Sequence, residues 1–449
     1  MIQNDTICAL ATATGGALGI IRISGPNALS VASSICRDDI ATKPANTVHY
    51  AHIAAGGIII DEAMVSVFRA PHSYTGEDSV EISCHGSRYI LNKVLELLIE
   101  HGCRMANPGE YTLRAYLNGK MDLSQAEAVA DLIASTNRAT HQMAMSQLKG
   151  NFSNELARLR EQLLHLTSLL ELELDFSDHE ELEFADRKEL LGLSKKVDER
   201  IQQLAKSFKT GQAIKKGIPV AIIGSTNVGK STLLNRLLHD DKAIVSDIHG
   251  TTRDVIEDTT EIHGVTFRFI DTAGIRETKD KIERLGIERS YKKLQEAAIV
   301  IWLTDKRPSD CEIEKMQDLT NGKHLIAVQN KADQLTPTEQ IPWMCPTLFI
   351  SAKNGIHIEE LEQQIYIAAE IPEIKENDII ITNTRHYEAL LHAHDSIQHV
   401  IDGLQSSISA DLLSEDLRTT LSHLSEILGS EITTNEVLGN IFKHFCVGK

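Results

Sequence analysis

The sequence lacks the patterns of several protein classes. Its seven cysteines never form a Cys-x-x-Cys pair, and their odd, scattered occurrence argues against a zinc site and favours a reducing compartment. No apolar run approaches the roughly 18 residues that span a membrane, and residues 1–5 lack the positive charge of a secretory signal. We therefore expect a soluble, cytoplasmic protein.

Basic residues are also scarce. The 45 Lys and Arg residues against 63 Asp and Glu residues give a net charge of −18 at pH 7. Coating nucleic acid through a general basic surface requires clustered positive charge that displaces counterions, so this mode is excluded and only a local basic patch stays open. What is present is ordinary globular composition, 42% hydrophobic and 24% charged over 449 residues. At roughly 150 residues per domain, we expect about three domains.

The pattern of the sequence changes along the chain. Short apolar runs broken by glycine, with one helix pattern at 87–101, predict an α+β domain over residues 1–118. Apolar residues at three-and-four spacing, in a stretch without proline, predict long helices over residues 119–214. The helix pattern returns over residues 374–449. Helices on both sides of a central segment suggest that this segment is inserted into one helical domain, a hypothesis that the spacing alone leaves open.

The central segment, residues 215–373, alternates strand and helix patterns. Such alternation indicates an α/β domain with a parallel sheet and helices on both faces. The predicted strands are 219–223, 266–270, 298–303, 325–329 and 347–350. Ligands of such sheets bind at the carboxyl ends of the strands, so the residues that follow each strand are the first candidates for a site.

A glycine-rich loop follows the first of these strands. Residues 224–231, Gly-Ser-Thr-Asn-Val-Gly-Lys-Ser, match the phosphate-binding loop that joins a strand to a helix in nucleotide-binding proteins. Such a loop turns backbone N–H groups and the positive end of the helix dipole towards the phosphates. We expect Lys230 to reach the β- and γ-phosphates and Ser231 to ligate Mg²⁺.

Three further segments lie at the ends of later strands. In 271–274, Asp-Thr-Ala-Gly, the carboxylate can hold Mg²⁺ through water and the glycine N–H can bind the γ-phosphate. The other two are 330–333, Asn-Lys-Ala-Asp, and 351–353, Ser-Ala-Lys. The carboxylate of Asp333 can accept from guanine N1–H and the 2-amino group together, whereas adenine would leave it unpaired, a penalty of ~10⁴-fold in selectivity. The predicted nucleotide is therefore GTP.

The segment 250–254 lies between the first two motifs and is predicted to be a switch. Thr252 is expected to fold onto Mg²⁺ and the γ-phosphate and to release after hydrolysis. Ile275 stands where many GTPases place a glutamine that orients the attacking water, and it cannot hydrogen-bond. The nearest polar candidates for that role are Arg276, Glu277 and Glu283. The missing positive charge must come from an arginine finger or from a bound cation, which Asn227 could help to hold.

Four further motifs carry a resemblance to a known family. They are Tyr74–Asp78, Pro108–Thr112, Lys120–Glu127 and the Cys-x-Gly-Lys sequence of Cys446–Lys449. With the order of the nucleotide motifs, they resemble the MnmE (TrmE) family of bacterial tRNA-modification GTPases over essentially the whole chain. The resemblance implies an N-terminal α+β domain that binds folate and dimerises, an all-α helical-bundle domain, and a P-loop G domain inserted into the latter.

The resemblance also implies an activity and partners. With a flavin- and NADH-using partner, MnmG (GidA), members of this family add an aminomethyl or carboxymethylaminomethyl group to C5 of the wobble uridine of certain tRNAs. A tetrahydrofolate derivative, in its 5,10-methylene or 5-formyl form, supplies the one-carbon unit. The expected assembly is a homodimer that joins MnmG in a heterotetramer. Potassium-dependent pairing of two G domains is expected to activate GTP hydrolysis.

Site residues are carried over motif by motif. The expected folate contacts are Arg22, Glu81, Lys120 and Lys449. The expected potassium ligands are Asn227, Ser246, Ile248 and Thr251, and the expected Mg²⁺ ligands are Ser231 and Thr252. Glu283 would orient the water, and Cys446 would have a chemical role in the modification. The full set of expected GTP contacts is Asn227, Val228, Gly229, Lys230, Ser231, Thr232, Ser246, Thr251, Thr252, Asp271, Thr272, Ala273, Gly274, Asn330, Lys331, Asp333, Ser351, Ala352 and Lys353.

Three positions depart from the family pattern. Thr226 stands where relatives usually have proline, which removes some stiffness from the phosphate-binding loop. Ser87 replaces the second glycine of a Cys-His-Gly-Gly stretch, and the loop 12–19 lacks the residue, often arginine, that many relatives place between its glycines. The last two border the expected folate pocket.

Two other functions are alternatives to tRNA modification. A regulatory GTPase that binds ribosomal RNA would usually append a basic RNA-binding module, whereas the C-terminal block here is acidic and helical and lacks a Gly-x-x-Gly loop. A phosphate-transferring kinase is opposed by the guanine-reading Asp333 and by the switch threonines. Undermodified wobble uridines in a deletion strain would separate tRNA modification from the first alternative.

Overall fold

A computed structural model of the chain describes most of its residues. The described residues are 5–175, 187–238, 258–270, 294–336, 341–344, 346–372, 375, 377–406, 408–429, 438, 441–442, 445 and 448. The chain divides into two compact units. The first comprises Met1–Ala134, Ala144–Ala205 and Thr384–Lys449, and the second comprises Ser135–Met143 and Lys206–Asn383. None of the described helices is long and apolar enough to cross a membrane.

A six-stranded sheet forms the N-terminal part of the first unit, as the α+β prediction requires. Its strands are β1 (Ile7–Leu10), β2 (Leu18–Ser24), β3 (Thr47–Ala55), β4 (Ile58–Phe68), β5 (Ser79–His85) and β6 (Arg104–Met105), in the order β3-β4-β5-β2-β1-β6. Neighbouring strands are antiparallel, except that β1 and β6 are parallel. Because side chains alternate between the faces of a strand, Val80, Ile82 and Cys84 of β5 all lie in the core.

Two helices, α1 (Ala28–Ile35) and α2 (Arg88–Glu100), cover the core face of this sheet. Helix α2 forms where the helix pattern at 87–101 predicts it. Its buried residues are Leu91, Val94, Leu97 and Leu98. They recur at three-and-four spacing and so form one apolar stripe against the strands.

Five helices follow the sheet among the residues described between 110 and 216. They are α3 (Glu110–Leu117), α4 (Leu123–Ala134), α5 (Arg138–Leu148), α6 (Asn151–Asp175) and α7 (Arg187–Lys216). The buried stripe of α6 consists of Leu156, Leu159, Leu163, Leu166 and Leu170. These are the positions from which the sequence predicts long helices, and that prediction is confirmed.

A second six-stranded sheet forms the centre of the second unit. Its strands are β7 (Ile218–Ile223), β8 (Asp258–Ile262), β9 (Val265–Phe269), β10 (Ile299–Thr304), β11 (His324–Gln329) and β12 (Thr347–Phe349), in the order β12-β11-β10-β7-β9-β8. Among the described residues of this unit, the helices that follow α7 are α8 (Lys230–Leu237), α9 (Asp310–Leu319) and α10 (Ile358–Ala368). All five predicted strands are present and parallel to one another. Strands β7 and β10, in the middle of the sheet, are nearly continuous apolar runs because both of their faces are covered.

Strand β8 was not predicted, and it makes the sheet mixed at one edge. It pairs antiparallel with β9 through a two-residue hairpin at His263 and Gly264. Both residues have positive φ, 51° and 82°, as a type I′ turn requires. The signal was the His-Gly pair between two short alternating segments, and the polar composition of Asp258–Ile262 obscured it.

A buried carboxylate joins the two helical segments of the first unit. Helices α11 (Thr384–Gln405) and α12 (Ala410–Leu428) follow the second unit in the sequence. Glu127 of α4 binds Arg385 Nη2 at 3.0 Å and His386 Nε2 at 2.6 Å. Burial acts to raise the pKa of Glu127, but His386 and Arg385 together lower it to about 2. Glu127 precedes the central segment in the sequence, and Arg385 and His386 follow it. Their ion pairs therefore join helices from both sides of that segment.

We predict that Glu127→Gln destabilises the first unit. Losing one partner of a buried ion pair costs about 3–5 kcal/mol, so the melting temperature at pH 7 should fall by several degrees. The folded pKa of Glu127 lies below its ordinary value of 4.5, so its contribution is present above that pH and is lost as the pH falls towards 2. The deficit of the variant should therefore shrink in acid. Glu161→Gln, at an exposed position of α6, is the control, and equal melting temperatures for Glu127→Gln and wild type at pH 7 would contradict the prediction.

Candidate functional site

The phosphate-binding loop joins β7 to α8 at the carboxyl edge of the second sheet. Gly224 passes so close to β10 that a Cβ atom there would lie 2.1 Å from the Leu303 carbonyl oxygen. Gly229 is the N-cap of α8 and has a φ of +100°. Both glycines are therefore required by the path of the loop. Val228, 1% exposed, anchors the loop in the core between them.

Polar side chains lie at the junction of the loop with α8. The Lys230 ammonium donates to the carbonyl oxygens of Gly224 at 2.8 Å and Ser225 at 2.7 Å, so it crosses the loop. Ser231 and Thr232 are exposed in the first turn of α8. The N–H groups of that turn and the helix dipole make this end of α8 an anion site.

Asn330 connects three of the predicted motifs. Its Nδ2 donates to the Val228 carbonyl oxygen at 2.7 Å, and its Oδ1 accepts from the Ala352 N–H at 3.0 Å. The side chain is 4% exposed, and its backbone N–H donates to the Thr304 carbonyl oxygen at 2.7 Å. The phosphate-binding loop, the 330–333 segment and the 351–353 segment are thereby brought together at one edge of the sheet.

The 330–333 segment, which is predicted to bind the base and is called the base-reading segment below, forms a tight turn after β11. Lys331 has a φ of 63° and precedes a 3-10 turn over Ala332–Gln334. Asp333 lies exposed on this turn, where its carboxylate can meet a ligand. Lys331 Nζ lies 2.9 Å from Asp305 Oδ2, and the hydrogen bond from Lys331 lowers the pKa of the Asp305 carboxyl.

The 351–353 segment is fixed from both sides. Ser351 is buried and forms a bridge with Ile356. Arg236 of α8 donates from Nη2 to the Lys353 carbonyl oxygen at 2.9 Å. The helix that follows the phosphate-binding loop therefore also supports the 351–353 segment.

Sequence reasoning missed Asp305 and Arg236. Asp305 directly follows β10, so its position at the carboxyl edge of the sheet was the available signal. No recognisable motif surrounds it. Arg236 has an ordinary helical pattern around it, and nothing in the sequence indicates that its side chain reaches a distant loop.

Several predicted site residues lie outside the described part of the chain. They are Ser246, Ile248, Thr251, Thr252, Asp271, Thr272, Ala273, Gly274, Glu283, Cys446 and Lys449. Their roles stay predictions.

A second cluster of predicted residues lies in the first unit. Arg22 and Glu81 are cross-strand partners on β2 and β5, and their side chains form a salt bridge of 2.7 Å. The guanidinium carbon of Arg22 lies 5.6 Å from the ring centroids of both Tyr74 and Tyr111. Arg22 Nη1 also donates to the Gly448 carbonyl oxygen at 3.2 Å. Gly448 of the Cys-x-Gly-Lys motif is therefore hydrogen-bonded to Arg22, one of the predicted folate contacts.

The aromatic rings beside Arg22 complete this cluster. The Tyr111 hydroxyl donates to the Arg22 carbonyl oxygen at 2.8 Å, and burial raises the pKa values of Tyr111 and Tyr74. Lys120 Nζ donates to the Pro71 carbonyl oxygen at 2.9 Å, so Lys120 binds the loop that carries Tyr74. The planar cation of Arg22, the carboxylate of Glu81 and the exposed ring of Tyr74 suit a planar heterocycle with polar edges, whereas the ring of Tyr111 is fully buried and supports Arg22 from the core. The tyrosines stand in the motifs that carry the resemblance but were not predicted as contacts.

Comparisons with known proteins cover the whole chain. Residues 123–446 match the MnmE helical domain family, and residues 6–120 match the family described as the GTP-binding protein TrmE N-terminus. A protein of Bacteroides fragilis named tRNA modification GTPase MnmE is 55% identical and covers 100% of both chains. Relatives of the same name are 56% identical in Parabacteroides distasonis, over 99% of this chain and 100% of theirs, and 49% identical in Flavobacterium johnsoniae, over 100% of both.

We predict that Gly229→Ala weakens GDP binding at least about tenfold. A Cβ atom at Gly229 would lie 2.3 Å from Asn330 Nδ2, which is buried and hydrogen-bonded and cannot move without releasing Val228 and Ala352. A left-handed alanine adds about 1–2 kcal/mol of strain, and a tenfold change corresponds to about 1.4 kcal/mol. Isothermal titration calorimetry with GDP measures the effect.

Gly322→Ala is the matched control for this variant. Gly322 also has a positive φ, +78°, but nothing lies within 4 Å of a Cβ atom there. It should therefore lower the melting temperature and leave GDP affinity unchanged. If both variants bind GDP as wild type does, the packing of Gly229 against Asn330 is not required for the site.

Proposed function

The chain belongs to the MnmE family of tRNA modification GTPases, and we propose that it hydrolyses GTP to modify the wobble uridine of certain tRNAs. The observation that carries the nucleotide part of this proposal is the Asn330 side chain, which binds both Val228 and Ala352. It joins a phosphate-binding loop to a base-reading segment, and a nucleotide has to contact both. Full-length similarity to tRNA modification GTPases supports the rest.

Different residues of the second unit would bind the phosphates and the base of the nucleotide. Lys230 and the N–H groups of the first turn of α8 would bind the β- and γ-phosphates. The exposed carboxylate of Asp333 would accept from guanine N1–H and its 2-amino group. Since Asn330 holds both segments in place before a ligand arrives, little ordering is required on binding.

Two cations fit the donor groups of the loop. Ser231 presents a hydroxyl in the first turn of α8, and with Thr252 it would hold Mg²⁺. Asn227 is exposed with a φ of 65°, and its amide oxygen would hold potassium with Ser246, Ile248 and Thr251. Potassium would supply the positive charge that an arginine finger supplies in other GTPases, and potassium-dependent pairing of two G domains would activate hydrolysis. Glu283 would orient the attacking water, since Ile275 cannot.

The Arg22 cluster is the proposed folate site. Arg22, Glu81 and Lys120 would contact a tetrahydrofolate derivative together with Lys449. Gly448 supports a role for the C-terminal motif, since Arg22 binds its carbonyl oxygen and a Cβ atom there would lie 2.4 Å from the Leu10 carbonyl oxygen. Cys446 lies two residues before this anchored glycine in the sequence, and its thiol would have a chemical role in the modification.

The proposed assembly includes a flavoprotein of the MnmG type. The chain would form a homodimer through its N-terminal domain and bind MnmG in a heterotetramer. The α+β domain over residues 1–118, the helical segments 119–214 and 374–449 and the G domain over 215–373 are the proposed functional divisions. The partner supplies the redox chemistry, since the modification requires flavin and NADH.

We predict that tRNA from a strain lacking this protein has unmodified wobble uridines. Mass spectrometry of tRNA nucleosides should show that the wild-type gene restores the 5-substituted uridine and that Lys230→Ala does not. Cys446→Ser should retain GTP turnover and fail to restore the modification. Cys311→Ser, at an exposed cysteine of α9, is the control and should restore it fully. Fully modified tRNA in the deletion strain would refute the proposed function.

We predict that sodium cannot replace potassium in GTP hydrolysis. An arginine finger is worth about 10³–10⁵ in rate, so turnover in NaCl should be at least about tenfold slower than in KCl of equal ionic strength. GDP affinity in the two salts is the control and should differ little, because Lys230, α8 and Asp333 bind nucleotide without the cation. Equal turnover in both salts would rule out the potassium model.

A further inference from the structure

Asp305 and Lys331 form an ion pair at the edge of the sheet where the base would bind. Lys331 Nζ lies 2.9 Å from Asp305 Oδ2. Asp305 follows β10 and Lys331 follows β11, and these strands are parallel neighbours with Thr304 opposite Gln329. The Asn330 N–H donates to the Thr304 carbonyl oxygen at 2.7 Å, which ties the two strand ends together beside the ion pair. The backbone therefore fixes the spacing of the two charges.

The backbone at Lys331 directs its side chain towards β10. A φ of 63° is unusual for a residue other than glycine, asparagine or aspartate. A strained backbone conformation persists only where neighbouring structure stabilises it. At Lys331 the buried Asn330 precedes the strained residue and the 3-10 turn follows it. The Lys331 stem consequently extends from the base-reading turn to the neighbouring strand end, with its ammonium on Asp305.

The guanine ring would lie beside this stem. Asp333 is on the same turn as Lys331, two residues further on, and its carboxylate would bind the edge of the base. A ring held at that edge presents one of its faces to the adjacent side chain. The four methylene groups of a lysine can cover an apolar face while the ammonium stays with a polar partner.

We propose that Asp305 is a positioning residue for guanine: it holds the Lys331 ammonium so that the lysine stem is ordered against the base before the nucleotide arrives. This inference rests on the proposed function of the site as a GTP site. Asp305 acts through Lys331 and does not touch the nucleotide itself. A free lysine side chain carries substantial rotamer entropy, and an ordered one loses less on binding.

The solvent exposure of the Asp305–Lys331 ion pair sets how strongly the loss of Asp305 should weaken GDP binding. The side chains of Lys331 and Asp305 are 37% and 31% exposed, so solvent screens the pair. Pairs of this kind contribute modestly, and we expect Asp305→Asn to weaken GDP binding about three- to fivefold, mainly through faster dissociation. Turnover of saturating GTP should be unchanged, so KM should rise while kcat stays constant.

A double-mutant cycle tests whether Asp305 acts through Lys331. Lys331→Met keeps an apolar stem and removes the charge that anchors it. GDP dissociation is measured by stopped flow for wild type, Asp305→Asn, Lys331→Met and the double variant. We expect Asp305→Asn to accelerate dissociation in the wild-type background and to have no effect in the Lys331→Met background. Asp305→Glu, which keeps the carboxylate, should recover part of the affinity.

Control variants separate the possible outcomes. Asp318→Asn removes an exposed carboxylate from α9 in the same unit and should leave dissociation unchanged. An effect of Asp305→Asn that persists in the Lys331→Met background would show a purely structural role and overturn the inference. Should Asp305→Asn not fold, Lys331→Met alone decides, because GDP affinity equal to wild type in that variant also overturns it. A wild-type protein that binds no GDP would overturn both this inference and the proposed function.

Discussion

The two side-chain hydrogen bonds of Asn330 are the interaction on which the nucleotide site depends. Each end of this amide satisfies a buried backbone group, one from Val228 and one from Ala352. Removing the amide would leave both groups unpaired, at about 1–3 kcal/mol each. Gly229 lies against the same amide and can have no side chain there. The positions of three motifs thus follow from one buried side chain, and the separate loops act as one site.

In the first unit, buried ion pairs connect segments that are distant in the sequence, as Asn330 does in the second unit. Arg114 is 4% exposed and binds Asp5, Glu77 and Glu110. Glu77 and Glu110 belong to two of the motifs that carry the family resemblance, and Glu127 belongs to a third. Each carboxylate is paired with arginine, which a buried charge requires. The carboxylates of these motifs therefore stabilise the fold, and two tyrosines of the same motifs, Tyr74 and Tyr111, flank the guanidinium of Arg22.

Much of this arrangement could be predicted from the sequence, for a physical reason. The five predicted strands of the second unit start and end within one residue of their observed positions. The central strands β7 and β10 give the clearest signal, because they are buried on both faces and have nearly continuous apolar sequences. Strand β8 has only alternating partial burial and polar residues, and it was missed. The ion pair of Asp305 with Lys331 was missed because it depends on neighbouring strands in space. The local sequence does not indicate which strands are neighbours in the sheet, and so it does not indicate which strand ends are adjacent.

The insertion of the central segment requires that its two ends lie close together, and the structure shows how this is achieved in the second unit. The Gln212 side chain donates to the Thr382 carbonyl oxygen at 2.6 Å, and the Ile381 N–H donates to Ser207 Oγ at 3.0 Å. A Cβ atom at Gly211 would lie 2.2 Å from the Ile381 carbonyl oxygen, so the chain entering and the chain leaving are packed against each other. Within the first unit, Glu127 binds Arg385 and His386 and so joins the helices that precede and follow the segment. Because each unit closes on itself in this way, an α/β domain can occupy the middle of a helical sequence without dividing the core of the helical domain.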